Sequence, residues 1–296
     1  MISIITCSKD PERQERFRED IAKNIGIDFE IIAFDNRTKN WGLCRVYNFC
    51  SEQARFPYLC FMHEDVYVDT KDWGEKIVEA TRELPNCGVI GFAGGSHVGR
   101  NFTSWWAGAL QVNVYDGYNG KNHADLRANF QYHNYSNPRN EDYSRVLCVD
   151  GLFQMVKKEV WEEIRYDDHS FSGFHMYDVD FSLSVSEKYN NYVGLKYEVY
   201  HDSHGNLTSD YIRDLFVFQN KWKHKLPRYV MPLRKKEAIQ LELSEIDTLK
   251  NLCRRNHMSK AKILLQLYRQ NSLFMLILAL IHLSFTRIKI ILWRNQ

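Results

Sequence analysis

No Cys-x-x-Cys pair occurs in this 296-residue chain, and its 7 cysteines are odd in number and scattered. That pattern excludes a zinc cluster and a disulfide framework and suits a reducing compartment. Glycines cluster at Gly94-Gly95, but the Gly-x-Gly-x-x-Gly spacing of a dinucleotide loop is missing. No basic start followed by an apolar run precedes the first strand, so no signal peptide is expected, and the sequons at Asn101, Asn134 and Asn206 read as accidental. A strong overall charge is absent too, the net value being +2. Its distribution is lopsided: from Lys221 onward 16 Lys and Arg face 4 Asp and Glu, which leaves residues 1–220 net acidic. An acidic body argues against nucleic acid as a partner, whereas a basic tail implies an anionic surface.

What is present is ample material for a core, 44% hydrophobic and 14% aromatic, so disorder is not expected and the length allows one or two domains. Residues 2–6 read as a buried strand, and Asp10-Pro11 as a helix start with Asp10 at the N-cap and Pro11 in the first helical position. That helix runs to about Asn24 with Phe17 and Ile21 on one face; Gly26 ends it, and 29–34 forms a second strand closing on Asp35-Asn36. A helix over 41–54 then leads to a strand from Tyr58. Strand, helix, strand, helix, strand predicts parallel pairing in an α/β sheet. A helix over 72–84 and a strand over 87–92 follow. Residues 97–146 show no sustained period and read as a long functional loop or a poorly periodic subdomain. A short strand over 146–149 ends on Asp150-Gly151, helices are expected over 157–164 and 178–188, and a strand over 192–200 delivers His201-Asp202-Ser203-His204-Gly205.

The stretch Tyr58–Val68 organises the rest. Its apolar start suits a central strand buried on both faces, and ligands of such sheets gather at the strands' carboxyl ends. There stand His63, Glu64 and Asp65. In extended chain, side chains alternate, so His63 and Asp65 point one way and can share a divalent ion, while Glu64 points the other. Ser8 and Asp35 end neighbouring strands on the same edge. In the helix from Asp178, successive residues turn by about 100°, so Asp178 and Asp180 cannot both face one substrate atom. The positive field of the helix start is expected to keep Asp178 ionised, as a general base must be; a plain capping role is the alternative. His201, together with a carboxylate, suits Mn²⁺ or Mg²⁺ loosely and Zn²⁺ more tightly.

These motifs carry a resemblance. Phe61-Met-His-Glu-Asp-Val resembles the Asp-x-Asp strand end of nucleotide-sugar glycosyltransferases of the GT-A fold, Tyr177-Asp-Val-Asp their Glu-Asp-x-Asp, and Val199-Tyr-His-Asp-Ser-His-Gly their late His segment. The order is the family's own, and the likeness is greatest to glycosyltransferase family 2-like proteins with a His-x-Asp motif, over roughly residues 1–215. It implies a Rossmann-like α/β fold with a mostly parallel central sheet, flanking helices and a C-terminal helical tail. It also implies an inverting, hexosyltransferase-type enzyme that moves a sugar from a nucleotide-diphosphate donor to a saccharide or lipid-linked acceptor in surface glycan synthesis. Within that likeness Asp65 and His201 bind the divalent cation, Mn or Mg, and Asp178 is the base. Thr6, Ser8, Asp35, Asn36, Asn48, His63, Glu64, Asp150 and Gly151 map to the nucleotide-sugar site. His63 stands where the family has its first Asp and Tyr177 where it has Glu, which leaves open a nucleotide-sugar-binding or scaffold protein of the same fold without turnover.

The expected division is a transferase domain over 1–220 and a basic, apolar helical tail over 221–296. The apolar stretch 273–285 has 13 residues, flanked by Arg269, Arg287, Lys289 and Arg294, against the roughly 20 that a bilayer crossing needs. An in-plane helix lets such basic side chains reach the headgroups, so a cytoplasmic protein peripheral to the inner face of an anionic membrane is expected; packing on the body or a second subunit is the alternative.

Overall fold

Apolar alternation at the chain's start builds the sheet that carries everything else. In the computed structural model, which describes residues 1–107, 110–118, 130–202, 207–271, 273 and 275–278, the first elements are β1 (Ile2–Ser8), α1 (Pro11–Asn24), β2 (Phe29–Asp35), α2 (Leu43–Gln53) and β3 (Tyr58–Met62). Both β2 and β3 pair with β1 in parallel, as the alternation predicts. α1 starts where expected: the Asp10 carboxylate accepts from the Glu12 and Arg13 amides, and Pro11 fills the first helical position.

There follow β4 (Val66–Val68), α3 (Trp73–Glu83), β5 (Cys87–Gly91), β6 (Ala93–Gly95), β7 (His97–Val98), a 3-10 turn at Trp105–Ala107, β8 (Leu110–Tyr118), β9 (Phe130–Ser136), β10 (Tyr143–Val146), β11 (Cys148–Val149) and β12 (Phe153–Lys157). The chain continues through α4 (Lys158–Glu163), α5 (Tyr177–Val185), β13 (Asn190–Gly194), β14 (Val199–His201), α6 (Ser209–Trp222), β15 (Arg228–Tyr229), α7 (Lys235–Arg255) and α8 (Lys260–Gln270). Among the described residues the central sheet has the order β10-β13-β5-β12-β3-β1-β2. It is mixed: β12 runs antiparallel to both β3 and β5, and β10 antiparallel to β13, while β5 and β13 are parallel. Ile5, Leu59, Phe61, Val89 and Val156 face one layer, and Ile4, Cys60, Met62, Ile90 and Met155 the other. Both faces are therefore covered, with α1 and α3 on the second, giving a three-layer α/β arrangement.

A second sheet, β11-β6-β8-β14-β4 with β9 on β8, crosses the carboxyl end of the first. It accounts for two departures from the sequence-based expectation. The 97–146 stretch contains strands after all: β8 alternates Leu110, Val112 and Val114 only at its start, and beyond Val114 rings stitch the strands, Tyr115 stacking on His133 at 4.0 Å and on Tyr200 at 4.9 Å. The single strand expected over 192–200 is two, because the chain leaves the central sheet after Gly194 and joins the second at Val199.

The compositional change at Lys221 falls inside α6. Helices α7 and α8 place Ile246, Leu249, Leu252, Ile263 and Leu267 in the same core cluster as the body. Glu242 of α7 accepts from the Arg100 amide at 2.9 Å and from Asn101 Nδ2 at 3.0 Å. No helix among the described residues is long and apolar enough to cross a membrane. Most of the 273–285 stretch, with the flanking Arg287, Lys289 and Arg294, lies outside the described residues, as do Ser203, His204, Gly205 and Asn206.

Candidate active site

β3 stops at Met62, and the next three residues turn instead of staying extended, with the Val66 amide donating back to the His63 carbonyl at 3.3 Å. The turn still brings His63 and Asp65 together. β14 lies antiparallel to β4 with His201 opposite Val66, and the Asp202 amide donates to the Asp65 carbonyl at 2.8 Å, which fixes the two segments to each other. His63 Nδ1 lies 4.0 Å and His201 Nε2 3.7 Å from Asp65 Oδ1. One ligand atom from each of the three residues falls within 4.8 Å of the others.

The outer nitrogens are held from behind. His63 Nε2 is 2.7 Å from the Tyr177 hydroxyl, and His201 Nδ1 is 3.4 Å from Asp116 Oδ1, its partner across the parallel β8–β14 pairing. Tethering of this kind leaves the inner lone pairs aimed at the centre. His201 Nε2 is buried and has no hydrogen-bond partner among the described residues. An orphaned ring nitrogen facing a carboxylate oxygen, with a second imidazole beside it, fits a divalent ion, so the residues present suit the divalent cation, Mn or Mg, expected from the resemblance. Burial pushes His63 below the ordinary imidazole range, against the charge of Asp65. At His201 burial acts the same way, but the bond to Asp116 and the charges of Asp65 and Asp150 outweigh it and raise its pKa. A proton and a cation thus compete for the same lone pair.

Beside this cluster opens a cavity of about 310 Å³, whose walls include Cys7, Lys9, Arg13, Tyr47, Glu64 and Phe174. Burial raises the Glu64 pKa in spite of the Ser8 hydroxyl and the Lys9 amide, which stabilise its carboxylate. Arg13, from the first turn of α1, reaches Asp65 Oδ2 at 3.5 Å and Asp202 Oδ2 at 3.3 Å.

Asp178 and Asp180 diverge as the helical turn requires. Asp178 Oδ2 accepts from the Gly151 amide at 2.9 Å. Asp180, 2% exposed, is tied to Lys221 Nζ and Trp222 Nε1, both at 2.8 Å, and is structural. Gly151 has to be glycine, since a Cβ there would stand 1.9 Å from the Tyr177 hydroxyl oxygen. The expectation that the helix field keeps Asp178 fully ionised is corrected: burial first, and the Asp150 carboxylate second, push it up to about 7. Desolvation outweighs the field of the first turn. A carboxyl poised near neutrality is suited to accept a proton and release it again.

Thr6 is completely buried in β1, and the cavity wall at this strand end comes from Cys7 and Lys9 instead. Ser8 is 4% exposed and bonds to the Asp10 carbonyl. Asp35 is exposed and both its oxygens are held by Arg37, which lowers its pKa to about 2. Asn36 closes a loop, donating to the Trp41 carbonyl and accepting from the Trp41 amide, each at 2.8 Å. Asn48 holds Tyr166 and Trp161 in the core. Both asparagines therefore have their amides engaged inside the protein, Asn36 also meeting the Cys7 thiol of the cavity wall. Asp150 Oδ1 accepts from the Leu152 amide at 2.7 Å. The sequence reading did not single out Arg13, Lys9 or Asp116; only the parallel β1–β3 and β8–β14 adjacencies bring them to this edge.

The architecture is similar to several solved structures. GalNAc-T7 with UDP, GalNAc and Mn²⁺ matches at 10% identity and a TM-score of 0.48, over 88% of this chain and 55% of that one, so the chain spans little more than half of its length. Residues 1–349 of TarS from S. aureus match at 12% identity, TM-score 0.47, over 86% and 73%. The mannosyltransferase PcManGT from Pyrobaculum calidifontis, in complex with GDP-Man and Mn²⁺, matches at 10% identity, TM-score 0.47, over 96% and 79%. No curated protein matches the sequence. The model of the glycosyltransferase-like family matches residues 3–222, and the chain belongs to that family.

Proposed function

We propose that the protein is an inverting, metal-dependent glycosyltransferase that moves a hexosyl group from a nucleotide-diphosphate sugar to a saccharide or lipid-linked acceptor in surface glycan synthesis. The observation that carries this reading is the convergence of His63 Nδ1 and His201 Nε2 on Asp65 Oδ1 at one end of a cavity. A divalent ion held by these three residues would supply Lewis-acid stabilisation to the departing diphosphate. Asp178, held by the Gly151 amide, takes the proton of the acceptor hydroxyl as its oxygen bonds to the anomeric carbon and the bond from that carbon to the phosphate oxygen breaks. Burial first, and the charge of Asp150 second, keep the base near neutrality.

Asp178→Asn decides between turnover and mere binding. The sugar-transfer or slow donor-hydrolysis rate with Mn²⁺ is expected to fall by about 10² to 10⁴, with donor affinity retained. Unchanged turnover sinks the assignment of the base, and binding without turnover in the unaltered protein favours a binding module.

The tail supports peripheral contact with an anionic membrane. On α8, Ile263 and Leu267 face the core, while Leu264, Leu265 and Tyr268 are exposed beside Lys262 and Arg269. Such a stripe buries in the headgroup boundary with its cations outward. Full-length protein is expected to float with phosphatidylglycerol vesicles at low salt, and failure to do so rules the contact out.

A further inference from the structure

We infer that Arg13 and Lys9 form the cationic wall that takes the donor's diphosphate, with Arg13 held in place beforehand by Asp65 and Asp202. The inference rests on the glycosyltransferase reading and names the residues that would recognise the anionic half of its donor. It starts from charge. Asp65, Asp116 and Asp202 bring three carboxylates to this strand edge. A divalent ion offsets two of those charges, and a diphosphate then arriving would meet net repulsion unless further cations line its path. Lys9 and Arg13 are the two cationic side chains of the cavity wall.

The geometry suits them to that task. Arg13 contacts Asp65 Oδ2 at 3.5 Å, on the carboxylate oxygen opposite the one that faces the histidines, so cation and guanidinium need not compete for one atom. Its two contacts, at 3.5 and 3.3 Å, are longer than the 2.7–2.9 Å of a tight charge-assisted pair. A guanidinium has five N–H donors in a planar fork, and two loose contacts leave donors for phosphate oxygens in the adjoining cavity. Lys9 Nζ lies 4.6 Å from the centre of the Phe174 ring, and among the described residues no carboxylate pairs with it. That ammonium rests on an aromatic face at the cavity wall, where an arriving anion is its natural partner.

The test uses Arg13→Gln and Arg13→Lys in the full chain, with calorimetric binding of a panel of UDP, GDP, dTDP, CDP and ADP in the presence of Mn²⁺, and binding of Mn²⁺ alone followed by its electron spin resonance. For the nucleoside diphosphate that binds, Arg13→Gln is expected to weaken affinity about ten- to a hundredfold, with partial recovery in Arg13→Lys. Mn²⁺ alone should bind at least as tightly as before, because a positive charge beside Asp65 has gone. An unchanged diphosphate affinity overturns the inference. A parallel loss of Mn²⁺ and diphosphate binding also overturns it, since Arg13 would then only be holding Asp65. If the unaltered protein binds none of the panel with Mn²⁺, the glycosyltransferase reading itself falls, and this inference with it.

Discussion

Two groups of acids are drawn together in this protein and treated in opposite ways. At the strand edge, Asp65 and Asp116 meet imidazole nitrogens beside a cavity, and Asp65 is also approached by Arg13. On α7, Glu242 and Glu245 are 5% and 1% exposed and close on the 99–101 loop. Burial lifts the Glu245 carboxyl well above its ordinary range, with the charge of Glu242 adding to the effect. An unpartnered polar atom occurs in both places, at His201 Nε2 and at Glu245 Oε2. What differs is what lies in front of it. His201 faces a carboxylate across a gap that an ion fits, whereas a Cβ on Gly99 would stand only 2.0 Å from Glu245 Oε2, so the backbone already closes that space. Clustered, buried acids alone therefore do not mark a binding centre; donor atoms aimed at one another across open room do.

The largest effect expected from this contrast is in Asp65→Ala. Removing the oxygen on which both histidines converge should abolish measurable Mn²⁺ binding and leave thermal stability nearly unchanged; retained Mn²⁺ affinity would place the centre elsewhere. Asp116→Ala should act through His201 alone, weakening Mn²⁺ about ten- to a hundredfold, the range found when a partner behind a ligating histidine is lost. Equal affinity in titrations of the two proteins would reduce the β8–β14 contact to a fold contact. Glu245→Gln is the smallest and bears on the other acid group. A carboxyl whose folded pKa is raised contributes stability that is fully present below its unfolded pKa, about 4.5, and is lost as pH rises through the folded value. The variant should thus match the unaltered protein in urea melts near pH 4 and exceed it by about 1–3 kcal/mol at pH 7–8, with Mn²⁺ binding unaffected. Loss of Mn²⁺ binding in this variant would erase the distinction between the two acid groups.

Much of the body was legible in the sequence because buried parallel strands advertise themselves as apolar runs bounded by turn and cap residues, as at Ile2–Ser8 and Tyr58–Met62. The expected pairing of His63 with Asp65 rested on alternation in an extended chain, whereas the chain turns after Met62 and it is the turn that brings the two side chains together. The late strand's delivery of His201 was legible from its position in the family motif. Asp116 was not, because the aliphatic alternation of β8 stops at Val114 and beyond it the strand is held by Tyr115 stacked between His133 and Tyr200. Nor was the poise of Asp178, since nothing in Tyr177-Asp-Val-Asp tells how deeply the first turn will be buried or that Asp150 will stand beside it. The insertion of β12 antiparallel between β3 and β5 was equally silent, for a strand's direction in a sheet is decided by what it packs against rather than by its own residues.

Among the described residues the pairing of β14 with β8 is two residues long, Tyr200 opposite Tyr115 and His201 opposite Asp116. Side chains alternate along a strand, so a slip of a single residue would turn Asp116 to the opposite face and set Tyr115 or Gly117 against His201. The ring stack of Tyr115 on Tyr200, one step along, therefore works as a registration pin for the His201–Asp116 contact. Affinity for a cation held there would in this way be written into the alignment of two strands, and whatever shifts β8 along its own axis would retune the cluster without touching His63, Asp65 or His201.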